Sequence, residues 1–329
     1  MTRYALQDLT LEVEQADTAG EEEVDRLLRG LSWSKTGGAA GSPSLSLTVR
    51  PGDGSSLPAA AREVLNAGGF RGLESDGDYY LTDGESLLHL RASEGRGEVR
   101  LAPSFFSKPY ASRHEFWTFA LVKLLQGIGV YSLHAAGVVA PDGTGILIVG
   151  KSGGGKSTLT IGLIRNGWRY LSDDAVLLRS TAAGVEALAF RRDFYVDSPA
   201  AERYAGLTLA EEVPDATGGR RRRIGIEEAY PAQRAPKCSP AVLLFSRIVP
   251  RDRSALTPVD RATALARLLA QCASQVFERE ATARHLVVLK ELLRRTEFYD
   301  LEAGRDLYEN PVLVRDLVSE ARAAARGAN

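Results

Sequence analysis

The residues of this chain best suited to chemistry are one lysine, a pair of hydroxyls and a pair of acids. Lys156, Ser157 and Thr158 close a glycine-rich run, Gly150-Lys151-Ser152-Gly153-Gly154-Gly155. The spacing Gly150-x-x-x-x-Gly155-Lys156-Ser157 is that of a P-loop. Glycines let successive backbone N–H groups turn inward and cradle phosphate oxygens. In such a loop the lysine reaches the β- and γ-phosphates and the hydroxyl after it sits on Mg²⁺. The candidate nucleotide-binding residues are therefore Gly150, Ser152, Gly153, Gly154, Gly155, Lys156, Ser157 and Thr158. Adjacent acids follow at Asp173-Asp174. Phosphoryl transfer needs one carboxylate on Mg²⁺ and often another that orients or deprotonates the attacking hydroxyl. Neighbouring side chains at a strand end point in different directions, so one pair can serve both purposes.

These residues need a strand before the loop, a helix after it and a strand that returns beside it. Residues 145–149 are strand formers, and Leu159, Ile161, Leu163 and Ile164 give the next segment a helical apolar pattern. Asn166-Gly167 is a good helix C-cap pair. Residues 168–178 read as a strand with the two acids at a break in it. Residues 131–139 read as a buried strand, turned back into the P-loop strand at Asp142-Gly143. His134 then lies on the hairpin neighbour of the P-loop strand, within reach of bound phosphates. Residues 185–196 read as a strand pair around Arg191-Arg192-Asp193. Arg191 is the candidate there for contact with phosphate or with developing charge.

The remainder of the C-terminal half frames that centre. Residues 198–204 read as helical, and 217–223 as a loop ending in four arginines, Arg220 to Arg223. A central strand is expected over 241–245, amphipathic helices over 260–269 and 284–295, and a late strand over 297–301. A closing helix over 311–325 starts with proline. Cys238 and Cys272 form no disulfide or zinc pattern.

The N-terminal third carries no chemical motif. Alternation marks strands at 9–13, 44–49, 79–82, 86–90 and 98–101. Residues 19–31 suit a helix, with glutamates early and arginines late. Residues 58–65 read as a short helix, and Asp83-Gly84 as a hairpin turn. The expectation is an antiparallel meander, with His89 structural. The apolar helix 113–125 is expected to pack under the nucleotide-binding sheet.

The fold class that follows is α/β, α+β overall. It has a P-loop kinase core with a mixed, partly antiparallel sheet and flanking helices, plus an N-terminal β-rich α+β region. The expected division is 1–112, available for substrate recognition, and 113–329, the catalytic domain. Of the 329 residues 44% are hydrophobic and 25% charged, with a formal net charge of −1. That balance suits a globular protein and offers no general attraction to nucleic acid or anionic membrane. No apolar run is long enough to span a bilayer, and the first residues lack a signal-peptide core. A cytoplasmic location is expected, and self-association is left open.

The run Leu133-His134-Ala135-Ala136-Gly137-Val138-Val139, the P-loop, and Gly167-Trp168-Arg169-Tyr170-Leu171-Ser172-Asp173-Asp174 together resemble the catalytic domain of HPr serine kinase/phosphorylase. More narrowly, the chain resembles the HPr-kinase-related kinases found beside peptide-modifying genes, such as lasso-peptide clusters. The resemblance is strong over residues 131–180. It implies an ATP- and Mg²⁺-dependent kinase acting on a serine-type hydroxyl. Carried over residue by residue, it implies Asp173 as base and Asp174 with Ser157 around Mg²⁺. It implies a hydrogen-bonding role for His134 near the acids. The Glu-Ile-Arg-Gly-Leu-Gly signature of the bifunctional enzymes is absent, and Phe190-Arg191-Arg192-Asp193-Phe194 occupies the comparable place. That departure counts against phosphorylase activity and against HPr itself as substrate.

The expected function is transfer of the γ-phosphoryl group of ATP to a serine or threonine hydroxyl of a peptide or protein. The alternatives are a P-loop ATPase or GTPase switch, a kinase of a small-molecule hydroxyl, and a nucleotide-binding regulator without turnover. Arg220 to Arg223 read either as an anchor for an acidic peptide or phosphate or as a solvated loop.

Overall fold

The computed structural model describes residues 1–15, 20–37, 44–53, 57–197, 209–214, 220–272 and 279–327. The fold is α+β, with mixed parallel and antiparallel sheets. The chain forms two compact units. One covers Met1–Tyr131 and Ser274–Arg284, the other Ser132–Ala273 and His285–Asn329.

The first unit is built on a nine-stranded sheet. Its order is Ser34–Lys35, Thr2–Leu6, Leu9–Gln15, Ser44–Pro51, Arg96–Leu101, Leu87–Arg91, Asp78–Thr82, Phe70–Ser75 and Arg62–Ala67. The stretch from Arg62 to Leu101 is the expected antiparallel meander. Leu9–Gln15 and Ser44–Pro51 pair in parallel, as do Ser44–Pro51 and Arg96–Leu101. Those parallel pairings have no local signal, since they depend on how distant strands meet.

Two expectations change in this unit. Residues 62–65 belong to strand Arg62–Ala67 where a short helix over 58–65 was expected. Gly68 and Gly69 both adopt positive φ, 63° and 81°, and turn this strand back on Phe70–Ser75. A Gly-Gly pair of that hand matches strand twist, so turn chemistry and pairing outweigh local helix propensity. The helix Tyr110–Gly127 forms as expected, but it packs within the first unit. The ring of Phe116 lies 5.5 Å from that of Phe105 and 6.2 Å from that of Phe70, so aromatic contacts decide its place.

The second unit is organised on a six-stranded sheet. Its order is Arg169–Ser172, Ala135–Val139, Gly145–Val149, Pro240–Ile248, Glu297–Ala303 and Ala255–Pro258. The P-loop strand Gly145–Val149 is antiparallel to Ala135–Val139, through the turn at Asp142-Gly143, and parallel to Pro240–Ile248. All five of its residues are buried. That is the pattern of a strand covered on both faces. On one face Ile146, Ile148, Val242, Leu244 and Leu301 pack with Trp168 and with Leu159 and Leu163 of the P-loop helix Lys156–Arg165. Ile161 and Ile164 of that helix join Tyr170, Phe194, Ile224 and Ile226 in a second cluster.

The arginine run differs from expectation. Arg220–Ile224 is a strand, paired with Phe194–Asp197 and with Leu209–Pro214. Ile224 is fully buried and anchors it, while Arg222 stays exposed. An arginine run can extend as a strand when its charged heads reach water and its last apolar residue reaches the core. The helix expected over 198–204 and residues 217–219 lie outside the described residues.

Leu244 tests this core directly. Leu244→Ala should cost about 2–5 kcal/mol in urea unfolding, from lost burial plus a residual cavity. A loss below roughly 1 kcal/mol would mean that the central strand is not packed as described.

Candidate active site

The phosphate loop leaves the central sheet after Val149 and is pressed against the end of the neighbouring strand. A Cβ at Gly150 would lie 2.7 Å from the carbonyl oxygen of Ser246, so the close approach requires glycine. Ser246 Oγ donates to the carbonyl of Gly154 at 3.0 Å, and the N–H of Gly154 donates to the carbonyl of Lys151 at 3.0 Å. Gly153 and Gly155 hold φ of 77° and 81°, a conformation open mainly to glycine. The helix then starts at Lys156, and its N-terminus adds positive potential at the loop.

Lys156 is only 6% exposed, and its ammonium group curls back over the loop. It donates to the carbonyls of Gly150 at 2.8 Å and Lys151 at 3.2 Å. His134 Nε2 lies 3.2 Å away. The expected single strand 131–139 is in fact two, Val130–Leu133 and Ala135–Val139, with His134 at the break. The break lets the imidazole bridge two partners. Its other nitrogen, Nδ1, lies 3.4 Å from Asp174 Oδ1. An ammonium group has no lone pair, so Nε2 must accept from Lys156, and the proton of a neutral ring then faces Asp174.

The acids sit where strand Arg169–Ser172 ends. The N–H of Ala175 donates to the carbonyl of Asp173 at 2.7 Å, and Asp174 between them has φ of 62°. This is a three-residue turn of the strained, positive-φ kind. A non-glycine residue held there costs on the order of 1–3 kcal/mol. Ser172, fully buried, supports the turn. Its hydroxyl donates to the carbonyl of Ala175 at 2.5 Å and accepts from the N–H of Arg191 at 2.9 Å. One hydroxyl thus ties the acidic turn to the loop that carries Arg191.

The turn makes the two carboxylates diverge. Asp173 is 1% exposed, and Ser157 Oγ lies 2.9 Å from its Oδ2 and 3.0 Å from its Oδ1. The Asp174 side chain is 30% exposed, with Arg191 Nη1 3.4 Å from Oδ2 on the side away from His134. Burial pushes the Asp173 carboxyl up to about 7, and the nearby charge of Asp174 pushes the same way. The Ser157 hydrogen bond and the Lys156 charge oppose that rise. Burial lowers the His134 value, against Asp174, which raises it; Lys156 and Arg191 lower it further. His134 is therefore held as a neutral ring near pH 7.

His134, Lys156, Ser157, Asp173, Asp174 and Arg191 form one connected cluster. Ser152, Gly153 and Gly154 border a hollow on the other side of the loop. Thr158 is not brought to either place and lines a separate hollow with Gly162 and Pro311. Ser172 and Ser246 escaped the sequence reading. Ser172 stands beside the acids, but its use as a tie depends on burial against residues 190 and 191. Two further ion pairs brace the arginine loop, Arg192 to Glu227 at 2.9 Å and Arg223 to Asp193 at 3.0 Å.

The donor set suits a hard divalent cation beside a polyphosphate. Ser157 and Asp173 would supply oxygens to it, the kind and small number of protein ligands that Mg²⁺ takes beside phosphate. Among the described residues no group of three or more His, Cys, Asp or Glu is placed to hold a metal ion. No described helix is long and apolar enough to cross a membrane.

No protein-family model matches the chain, and no curated protein matches it. Among solved structures it is similar to the Hpr(Ser) kinase/phosphatase from Coxiella burnetii, at 14% identity and a TM-score of 0.30. The match covers 60% of this chain and 93% of that one. So distant a likeness carries no argument about chemistry, which rests on the site's own geometry.

Two outcomes follow from this geometry. Asp173 has a folded-state value near 7 against about 3.8 for the free side chain, so it takes up a proton on folding between those pH values. Its protonated form favours the folded state at low pH, and that contribution is lost as pH rises through 7. Asp173→Asn should then be more stable than the parent at pH 8, by on the order of 2–4 kcal/mol, with the gap closing toward pH 4. Thermal unfolding across pH reads this directly, and a gap independent of pH would contradict it. Gly150→Ala should cost about 1–3 kcal/mol in urea unfolding, because the loop must move off Ser246. Unchanged stability would show that the close contact is not needed.

Proposed function

We propose that the chain is an ATP-dependent phosphotransferase that phosphorylates a serine- or threonine-type hydroxyl of a peptide or protein. The observation that carries this reading is the division of labour between the two acids. One is buried on the P-loop hydroxyl, and the other is open to an incoming group between an imidazole and a guanidinium. A site that only bound nucleotide would have no need of the second.

The loop N–H groups and Lys156 hold the phosphates. Mg²⁺, when bound, neutralises charge on the transferring phosphoryl group. Ser157 and the acid touching it would hold that cation. The geometry favours Asp173 for this place and Asp174 as base, an exchange of the roles expected from the resemblance. Asp173 is in contact with Ser157 and has little room for an acceptor, whereas Asp174 is reachable. In this scheme Asp174 takes the proton of the acceptor hydroxyl, whose oxygen bonds to the γ-phosphorus as the bond to ADP breaks. His134 donates Nδ1–H to Asp174 and orients it, and Arg191 balances the charge that builds beside it.

The test incubates the protein with γ-labelled ATP, Mg²⁺ and the peptides encoded beside its gene, and locates the label by mass. Transfer to a hydroxyl is expected. Asp174→Asn should cut the transfer rate by about 10²- to 10⁴-fold with ATP affinity changed only a few-fold. Label released only as inorganic phosphate, at a rate indifferent to any hydroxyl acceptor, would refute the kinase reading in favour of a hydrolytic switch.

A further inference from the structure

The sheet that carries the acids on one side of the P-loop carries a different chemistry on the other. Arg169–Ser172 and Ala135–Val139 flank the P-loop strand on the acid side; Pro240–Ile248 and Glu297–Ala303 flank it on the far side. These last two run parallel to the P-loop strand, so all three end at the same edge. In register, Val149 stands beside Phe245 and Phe245 beside Asp300. At that edge lies a hollow of about 640 Å³, bounded by the loop backbone from Val149 to Gly154 and by Phe245, Ile248, Arg267 and Asp300. Its volume is that of a small-molecule site.

Its lining is unlike the acid side. Arg267, on helix Arg261–Ala270, is clamped by Asp300. Nη2 lies 3.2 Å from Oδ2, and Nη1 makes a closer contact with Oδ1. Both carboxylate oxygens are thereby engaged with the guanidinium, whose carbon lies 5.3 Å from the centroid of the Phe245 ring. The guanidinium is fixed in orientation rather than free to swing. Ile248 is 53% exposed, a large apolar side chain left in water at the rim. A fixed planar cation beside one exposed apolar side chain, joined to a phosphate cradle, is a place for a planar, uncharged ring attached to a polyphosphate.

We propose that this hollow is the nucleoside subsite: the base of the nucleotide stacks on Arg267 against Ile248, with Asp300 holding the guanidinium in plane. The nucleotide then lies across the sheet edge in one direction only. Its base is over strands Pro240–Ile248 and Glu297–Ala303, its triphosphate crosses the loop, and its γ-phosphate reaches Asp173 and Asp174. A guanidinium face is favourable for any aromatic base. This inference rests on the reading of the P-loop as a nucleotide site, and the experiment separates the two.

Binding of ATP and of inorganic tripolyphosphate, each with Mg²⁺, is measured by calorimetry. Both should bind the parent protein. Arg267→Ala should weaken ATP about 5- to 20-fold and change tripolyphosphate less than twofold. Arg267→Lys keeps the charge but loses the planar face, and should lose ATP affinity nearly as much. Ile248→Asn, at an exposed position that tolerates change, should weaken ATP alone by a smaller factor. Equal weakening of both ligands by Arg267→Ala would overturn the subsite, since Arg267 would then serve the phosphates. No effect on either ligand would overturn it too, by placing the base elsewhere. If the parent bound neither ligand, the nucleotide reading of the loop would itself fail, and the subsite with it.

Discussion

A carboxylate with almost no solvent contact must find hydrogen-bond donors or give up its charge. Asp173 is held by the hydroxyl of Ser157, near the ammonium group of Lys156, and its proton affinity is still raised by burial. That single contact ties the end of one strand to the start of the P-loop helix. It requires Ala135–Val139 to lie between the acid strand and the P-loop strand, because only then does the acidic turn arrive over the helix N-terminus. Much of the second unit can be understood as the structure needed to keep that contact in place. The P-loop helix is buried on two sides, and the acidic turn is tied by Ser172 to a loop that is itself braced by ion pairs.

The cost of this arrangement is local and concentrated. Asp174 takes a backbone conformation that a non-glycine residue rarely adopts, and Asp173 is buried as an acid. Either feature alone would weaken an ordinary turn. Together they separate two adjacent carboxylates into different environments, one dry and one reachable. Acid and base functions are commonly divided in just this way, by environment rather than by residue type. His134 adds the directional element. Lysine on one nitrogen dictates the proton on the other, so the ring presents a donor to Asp174 without carrying a charge near neutral pH.

The loop also divides the sheet edge into two halves with opposite character. On the acid side the groups are ionic and set by hydrogen bonds; on the other, Phe245 and Ile248 stand beside a guanidinium clamped by Asp300. A polyphosphate bridging the two would meet N–H groups along its length and chemistry only at its end. The same parallel strands that give the sheet its core thus also give the site its direction.

The P-loop, its flanking strand and helix, and the acidic pair were legible in the sequence because each is a local pattern. Glycine spacing, a run of strand formers and a helical apolar period depend on neighbours within a few residues. His134 was legible as a hairpin neighbour for the same reason. The break of the strand at His134, the tie made by Ser172 and the different environments of the two acids were not. Those depend on which side chain is buried and what it then meets, here residues 16 to 40 positions apart in the chain. The arginine run that became a strand and the short helix that became a hairpin failed alike, through pairing partners that local propensity does not encode. The clamp of Arg267 by Asp300 spans 33 residues and joins a helix to a strand. Sequence determined that a glycine-rich loop with a lysine and a hydroxyl, and two adjacent acids, exist; only the tertiary structure decided which acid is buried, because burial is a property of everything packed around it.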